Sequence, residues 1–162
     1  MLDRSIKYRP IGIIHTPYKS LSDMPIQPTG ASTSGGKLIM KPEYTPGLTD
    51  LGGFSHIYLI YHFHRVQNYQ LVVTPFLDEK QHGVFATRAP KRPNPIGLSI
   101  VELVSIEDNV LILNNVDILD GTPILDIKPY VPAFDLQENV KAGWLTGKDE
   151  DVKTKRSDER FV

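Results

Sequence analysis

The chain has 162 residues, 40% of them hydrophobic and 23% charged, with a formal net charge of −1; this is the size and make-up of one globular domain with its own core. It holds no cysteine, which excludes disulfides, a thiol nucleophile and thiolate metal sites, and it has no apolar run long enough for a transmembrane helix. The small net charge hides an asymmetry: residues 1–100 carry 11 Lys and Arg against 6 Asp and Glu, and residues 101–162 carry 7 against 13, so a basic front is available to an anionic ligand.

Met1 to Pro10 lack the apolar centre of a signal peptide, so a cytoplasmic location is expected. Ile11 to His15 is the first run with the two-residue, β-branched period of a strand. Pro25-Ile26-Gln27-Pro28-Thr29-Gly30 is a rigid turn whose glycine permits close backbone approach; taken alone it reads equally as a connecting loop. Lys37 to Met40 follows the turn signal Gly35-Gly36. Thr45-Pro46 offers an N-cap followed by proline, the start of a short helix. Phe54 to His64 alternates most clearly: Ile57, Leu59, Tyr61 and Phe63 share one face, and His56, Tyr58, Ile60, His62 and His64 the other. Two histidines two residues apart, with no cysteine and no clear acidic partner, are a poor metal set. The polar face reads better as the lining of a cavity, and no metal is expected.

Gln70 to Phe76 and Gly83 to Arg88 are further strand candidates. Gly83 to Gly97 also contains three cations, Arg88, Lys91 and Arg92, among prolines 90, 93 and 95. Prolines fix φ and remove donors, and each restricts its predecessor, so the segment is predicted to be a stiff loop with pre-organised cations. Leu98 to Val104, Asn109 to Asp117 and Ile124 to Tyr130 complete the strands. Asp117-Ile118-Leu119-Asp120-Gly121 places two carboxylates around a turn, which suits a ligand or a plain Asx-turn. Asp126 and Lys128 share a strand face and read first as an ion pair. Asp135 to Gly143 could form a short helix, and residues 147–160 read as a mobile charged tail or a short exposed helix.

Many short strands separated by turns predict a mainly β fold, a sandwich or barrel. The absence of helix-length connections argues against a doubly wound parallel sheet. No Gly-x-Gly occurs, so both the dinucleotide fingerprint and the phosphate-cradling loop are missing.

The order of Ile11 to Lys19, Pro25 to Gly30, Gly47-Leu48, Phe54-Ser55-His56, Gly83 to Gly97 with Ser99, and Asp120 to Tyr130 resembles the TsaA/TrmO family. The resemblance runs from about Pro10 to Phe134. It implies a single-sheeted, non-Rossmann β-barrel, over residues 1–145, that binds S-adenosylmethionine as a homodimer with the cofactor near the interface. A charged tail would occupy 146–162. It also implies N6-methylation of N6-threonylcarbamoyladenosine next to the anticodon of tRNA. By position, the cofactor residues implied are Pro28, Thr29, Gly30, His64, Arg65, Arg88, Leu98, Asp117, Ile118, Leu119 and Asp120. Lys91 and Arg92 are expected to meet tRNA phosphates or the threonyl carboxylate, and Asp126, Asp120, His62 or His64 to serve as base. Longer members continue into a C-terminal domain, for which this chain shows only the charged segment after Gly143-Trp144. Two other readings stay open: the same scaffold methylating a small anionic metabolite, and a non-catalytic barrel binding RNA or S-adenosylmethionine.

Overall fold

The computed structural model describes residues 4–22, 24–26 and 34–158. Eight strands form in chain order: β1 Gly12–His15, β2 Gly36–Met40, β3 His56–His62, β4 Val72–Val73, β5 His82–Gly83, β6 Ile96–Glu107, β7 Val110–Asn114 and β8 Thr122–Pro129. Six of them close a barrel in the order β1-β2-β7-β6-β3-β8, and β4 and β5 form a separate two-stranded ribbon. Every pairing in the barrel is antiparallel. The expected mainly β, single-sheeted barrel is thus the fold. Closure leaves no free sheet edge.

The alternation of β3 is realised in space. Ile57, Leu59 and Tyr61 point inward and are buried, while His56, Tyr58, Ile60 and His62 between them are partly exposed. The core they enter is built from Ile14, Leu38, Val101, Leu111, Leu113, Val116 and Ile124, all fully buried. Bulges between Ile60 and Tyr61 on β3–β8, and between Leu103 and Ser105 on β6–β7, shift the register; such shifts bend and twist a strand, which a small barrel requires.

Several local expectations are corrected. Thr45-Pro46 does not start a helix: a 3-10 helix runs from Pro42 to Leu48 with Pro42 in its first turn and Pro46 inside. Gln70 to Phe76 contributes only the two residues of β4. Gly83 to Arg88 leaves the strand at once for a 3-10 turn over Val84–Ala86. β6 is longer than predicted because Ile96, Gly97 and Ser105 to Glu107 also pair with neighbours. The helix expected over Asp135 to Gly143 is displaced to α1, Pro132–Asp135, where a proline begins the turn and the Asp135 carboxylate accepts from the Val131 N–H at 2.7 Å.

The charged C-terminal segment does form a short helix, α2 Asp149–Thr154, but it is docked at both ends. Before α2, the Trp144 ring stacks on His82 at 4.4 Å and its Nε1 donates to the Ala86 carbonyl at 2.8 Å. Lys148 Nζ donates to the Leu77 carbonyl at 2.7 Å and pairs with Asp78 at 3.3 Å. After α2, Arg156 bridges to Pro25, and Ser157 and Met24 exchange hydrogen bonds. Among the described residues no helix is long and apolar enough to cross a membrane.

Candidate functional site

A cavity of about 300 Å³ opens where β3 ends and β6 begins. Tyr61, Phe63, His64 and Arg65 line it from β3 and its exit; Ile96, Gly97 and Leu98 from the start of β6; Thr87, Arg88, Pro90 and Arg92 from the proline-rich loop. Asp117, Ile118 and Leu119 form the side between β7 and β8, and Met24, Pro25, Ser157 and Asp158 close it from the two docked segments. The loop is fixed in two ways. Val84 and Ala89 bury themselves with Val73 in a small apolar cluster beneath it. The Arg92 Nη1 donates to the carbonyls of Thr87 at 2.9 Å, Val84 at 3.0 Å and Ala89 at 3.4 Å, and its guanidinium lies over the Phe85 ring.

Asp117 dominates the electrostatics. Its carboxyl is pushed up from 3.8 to about 6, by desolvation first, against the downward pull of the Ser99 hydroxyl, a backbone N–H and the Arg88 charge. The Ser99 Oγ donates to Asp117 Oδ1 at 2.6 Å, and the Tyr61 hydroxyl lies 3.1 Å from Ser99 Oγ. In the same lining, desolvation, then the Arg65 and His62 charges, hold His64 below its ordinary value. Its Nδ1 meets the Thr122 hydroxyl at 3.3 Å, while that hydroxyl donates to the Leu119 carbonyl at 2.7 Å. Burial and the neighbouring charges therefore favour the neutral imidazole, and Thr122 orients it.

The model of the tRNA-methyltransferase O N-terminal domain matches residues 13–136. The chain belongs to the TrmO family. A relative from Pyrococcus abyssi, named "Probable S-adenosyl-L-methionine-binding protein", is 54% identical over 161 residues, covering 99% of this chain and 88% of the relative. The tRNA (adenine(37)-N6)-methyltransferase of Escherichia coli is 37% identical over 138 residues, covering 79% of this chain and 59% of the enzyme. The crystal structure of TrmO from Pseudomonas aeruginosa superposes with a TM-score of 0.74 at 36% identity, covering 87% of this chain and 63% of that one. The chain thus spans a little over half the length of the bacterial enzymes it matches.

In this TrmO barrel the cavity gathers His64, Arg65, Arg88, Arg92, Leu98, Asp117, Ile118 and Leu119 from among the expected site residues. Pro28, Thr29 and Gly30 lie outside the described residues. Lys91, next to the lining residues Pro90 and Arg92, does not line the cavity itself. Three of the expected residues carry contacts of their own. Asp120 is turned to structural work: its carboxylate accepts from the Thr16 N–H at 3.0 Å and pairs with Lys19 at 2.7 Å, beside His15, pinning the exit of β1 to the turn before β8. Asp126 lies outside the cavity and pairs with Lys128 at 2.8 Å. Neither carboxylate lines that cavity. Arg92, expected to meet phosphate, spends one arm of its guanidinium on three loop carbonyls. No group of three or more His, Cys, Asp or Glu side chains gathers to hold a metal among the described residues.

Sequence reasoning missed Tyr61 and Ser99 as a hydroxyl pair behind Asp117, because Tyr61 sits in an ordinary core pattern. It also missed Ser157 and Asp158, since nothing in a charged tail signals that it returns to the barrel.

Proposed function

We propose that this chain is an S-adenosylmethionine-dependent methyltransferase that acts in the cytoplasm on N6-threonylcarbamoyladenosine next to the anticodon of tRNA. The observation that carries the reading is the cavity of a TrmO-family barrel in which arginines stand against a desolvated carboxylate. The names of its relatives support both cofactor and acceptor. The cofactor has a carboxylate, an ammonium, a sulfonium, an adenine and a ribose diol, and the donor set fits it. Arg88 or Arg65 takes the carboxylate, Asp117 faces the cationic part, and Leu98 with Ile118 and Leu119 supplies apolar walls and backbone groups for the adenine. Pro28, Thr29 and Gly30 complete that set in this reading, as the family resemblance implies.

When bound, the cofactor supplies an electrophilic methyl group. The protein's part is alignment, which is worth up to about 7–11 kcal/mol of barrier. The acceptor nitrogen belongs to a urea and carries a proton, so a neutral acceptor that holds the N–H in line promotes attack. His64, uncharged and steadied by Thr122, takes that role. Lys91 meets the phosphate backbone. The active form is a homodimer: the outward row Ile96, Leu98 and Ile100, exposed by 39%, 49% and 37%, continues from the cavity lip at Leu98 and offers the apolar face such a contact needs. Sedimentation of Ile100→Glu should shift from dimer to monomer, and a monomeric wild type would reject the dimer.

The test is mass spectrometry of tRNA nucleosides after incubation with purified protein and S-adenosylmethionine. A product one methyl heavier than threonylcarbamoyladenosine is expected. The net charge of −1 is low for a tRNA binder and favours a small acceptor as the second reading. Unchanged nucleosides together with tight cofactor binding would decide for it.

A further inference from the structure

Asp117 is reached through the cavity it lines, yet it has no cationic partner within ion-pair distance among the described residues. Its support is a chain of hydroxyls. An ionised carboxylate only accepts, so the Ser99 proton is committed to Asp117 across 2.6 Å. Ser99 Oγ then accepts from the Tyr61 hydroxyl at 3.1 Å. Tyr61 keeps its proton, because burial, reinforced by the Asp117 charge, pushes its ionisation far up. Ser99 and Tyr61 are 2% and 6% exposed, so the chain has one orientation, with donors behind the carboxylate and the open side facing the ligand.

We infer that the Tyr61–Ser99–Asp117 chain makes the cavity a reader of positive charge, so that it holds a sulfonium cofactor more tightly than the neutral thioether left after methyl transfer. This rests on the cofactor reading above and adds the basis on which product is released. A desolvated carboxylate attracts a nearby cation strongly, and the two ligands differ by one methyl group and one charge. Both carry the same amino-acid, ribose and adenine groups, so those contacts cancel in the comparison. Asp117 is the group that reads the charge, and Ser99 and Tyr61 are positioning residues.

The ionisable groups around this carboxylate are Tyr61 on β3, His64 and Arg65 at its exit, Arg88 and Arg92 on the loop, and Asp158 on the C-terminal segment. These groups also feel the extra charge of the sulfonium, so the comparison of wild type with Asp117→Asn, which removes the carboxylate's share alone, isolates Asp117. The experiment is calorimetric titration of the full chain with S-adenosylmethionine and with S-adenosylhomocysteine, from pH 5 to 8. Above the Asp117 transition, wild type should prefer the sulfonium by roughly tenfold or more, the scale of one charge pair in a partly dry site. The preference should fade as pH drops through about 6. Asp117→Asn should lose the preference for the sulfonium at every pH. Ser99→Ala, which removes a donor to the charged form, should move the midpoint upward, and Ser99→Thr should restore it. A wild-type ratio that is flat with pH, a preference kept by Asp117→Asn, or an unmoved midpoint in Ser99→Ala overturns the inference. If wild type bound neither ligand, the cofactor reading would fall and take the inference with it.

Discussion

Gly97 decides how Tyr61 reaches the site. The two residues pair across β3 and β6, and a Cβ at position 97 would lie 2.2 Å from the ring carbon Cε2 of Tyr61. The absent side chain lets the ring lie across β6 toward Ser99. Gly97→Ala should therefore cost about 1–3 kcal/mol in chemical denaturation, the range for overpacking, and should disturb ligand binding as well. Asp117 gives a pH signature. Its folded value, about 6, lies above the ordinary 3.8, so between those values the folded state keeps a proton that the unfolded state has lost. Stability from this group falls as pH rises through that window, and the full penalty, about 3 kcal/mol at most, is present above it. Asp78 and Asp120, whose values are lowered chiefly by hydrogen bonds from His82 and Lys19, have the opposite sign and lose their contribution only as pH falls below 3.8. Urea denaturation should accordingly show wild type gaining stability relative to Asp117→Asn between pH 7 and pH 5. Arg92 changes its meaning once its partners are known. Arg92→Ala should loosen the loop and weaken cofactor and tRNA binding together; selective loss of tRNA affinity would restore the phosphate role.

Among the elements, the proline-rich loop and the C-terminal segment show how unlike local signals can build one wall. The loop's prolines announce stiffness. What holds the loop, however, is Arg92 on three carbonyls and the small cluster of Val73, Val84 and Ala89, and neither follows from proline spacing. The segment after Gly143 is charged and gives no packing signal, yet Trp144, Lys148 and Ser157 fasten it across the β4–β5 ribbon to Met24. Trp144→Phe keeps a ring on His82 but loses the bond to Ala86. It should lower ligand affinity a few-fold, the effect of roughly 1 kcal/mol from one hydrogen bond, while leaving the melting temperature of the barrel nearly unchanged. An unaltered affinity would mean that the docked segment does not support the cavity.

At the scale of the whole molecule, closure of the six strands is what makes a core and a cavity from the same β-strands. Leu59→Ala, at a fully buried position, should cost about 2–5 kcal/mol by calorimetry or denaturant titration. The sequence by itself determined the strands of β1, β2, β3, β7 and β8 to within a few residues, and with them the inward set Ile57, Leu59 and Tyr61. Strand pleating forces alternate side chains to opposite faces, and that rule is local. Only the tertiary structure decided that Asp117 would face the cavity while Asp120, three residues later, would tie down Thr16 and Lys19. It also decided that Tyr61 and Ser99, 38 residues apart, would share a proton chain, and that Ser157 would return to Met24. Those outcomes depend on which strands pair, in which register, and on where the bulges fall. A hydrogen bond between distant segments exists only after closure has met the entropy of joining them, and no local pattern records it.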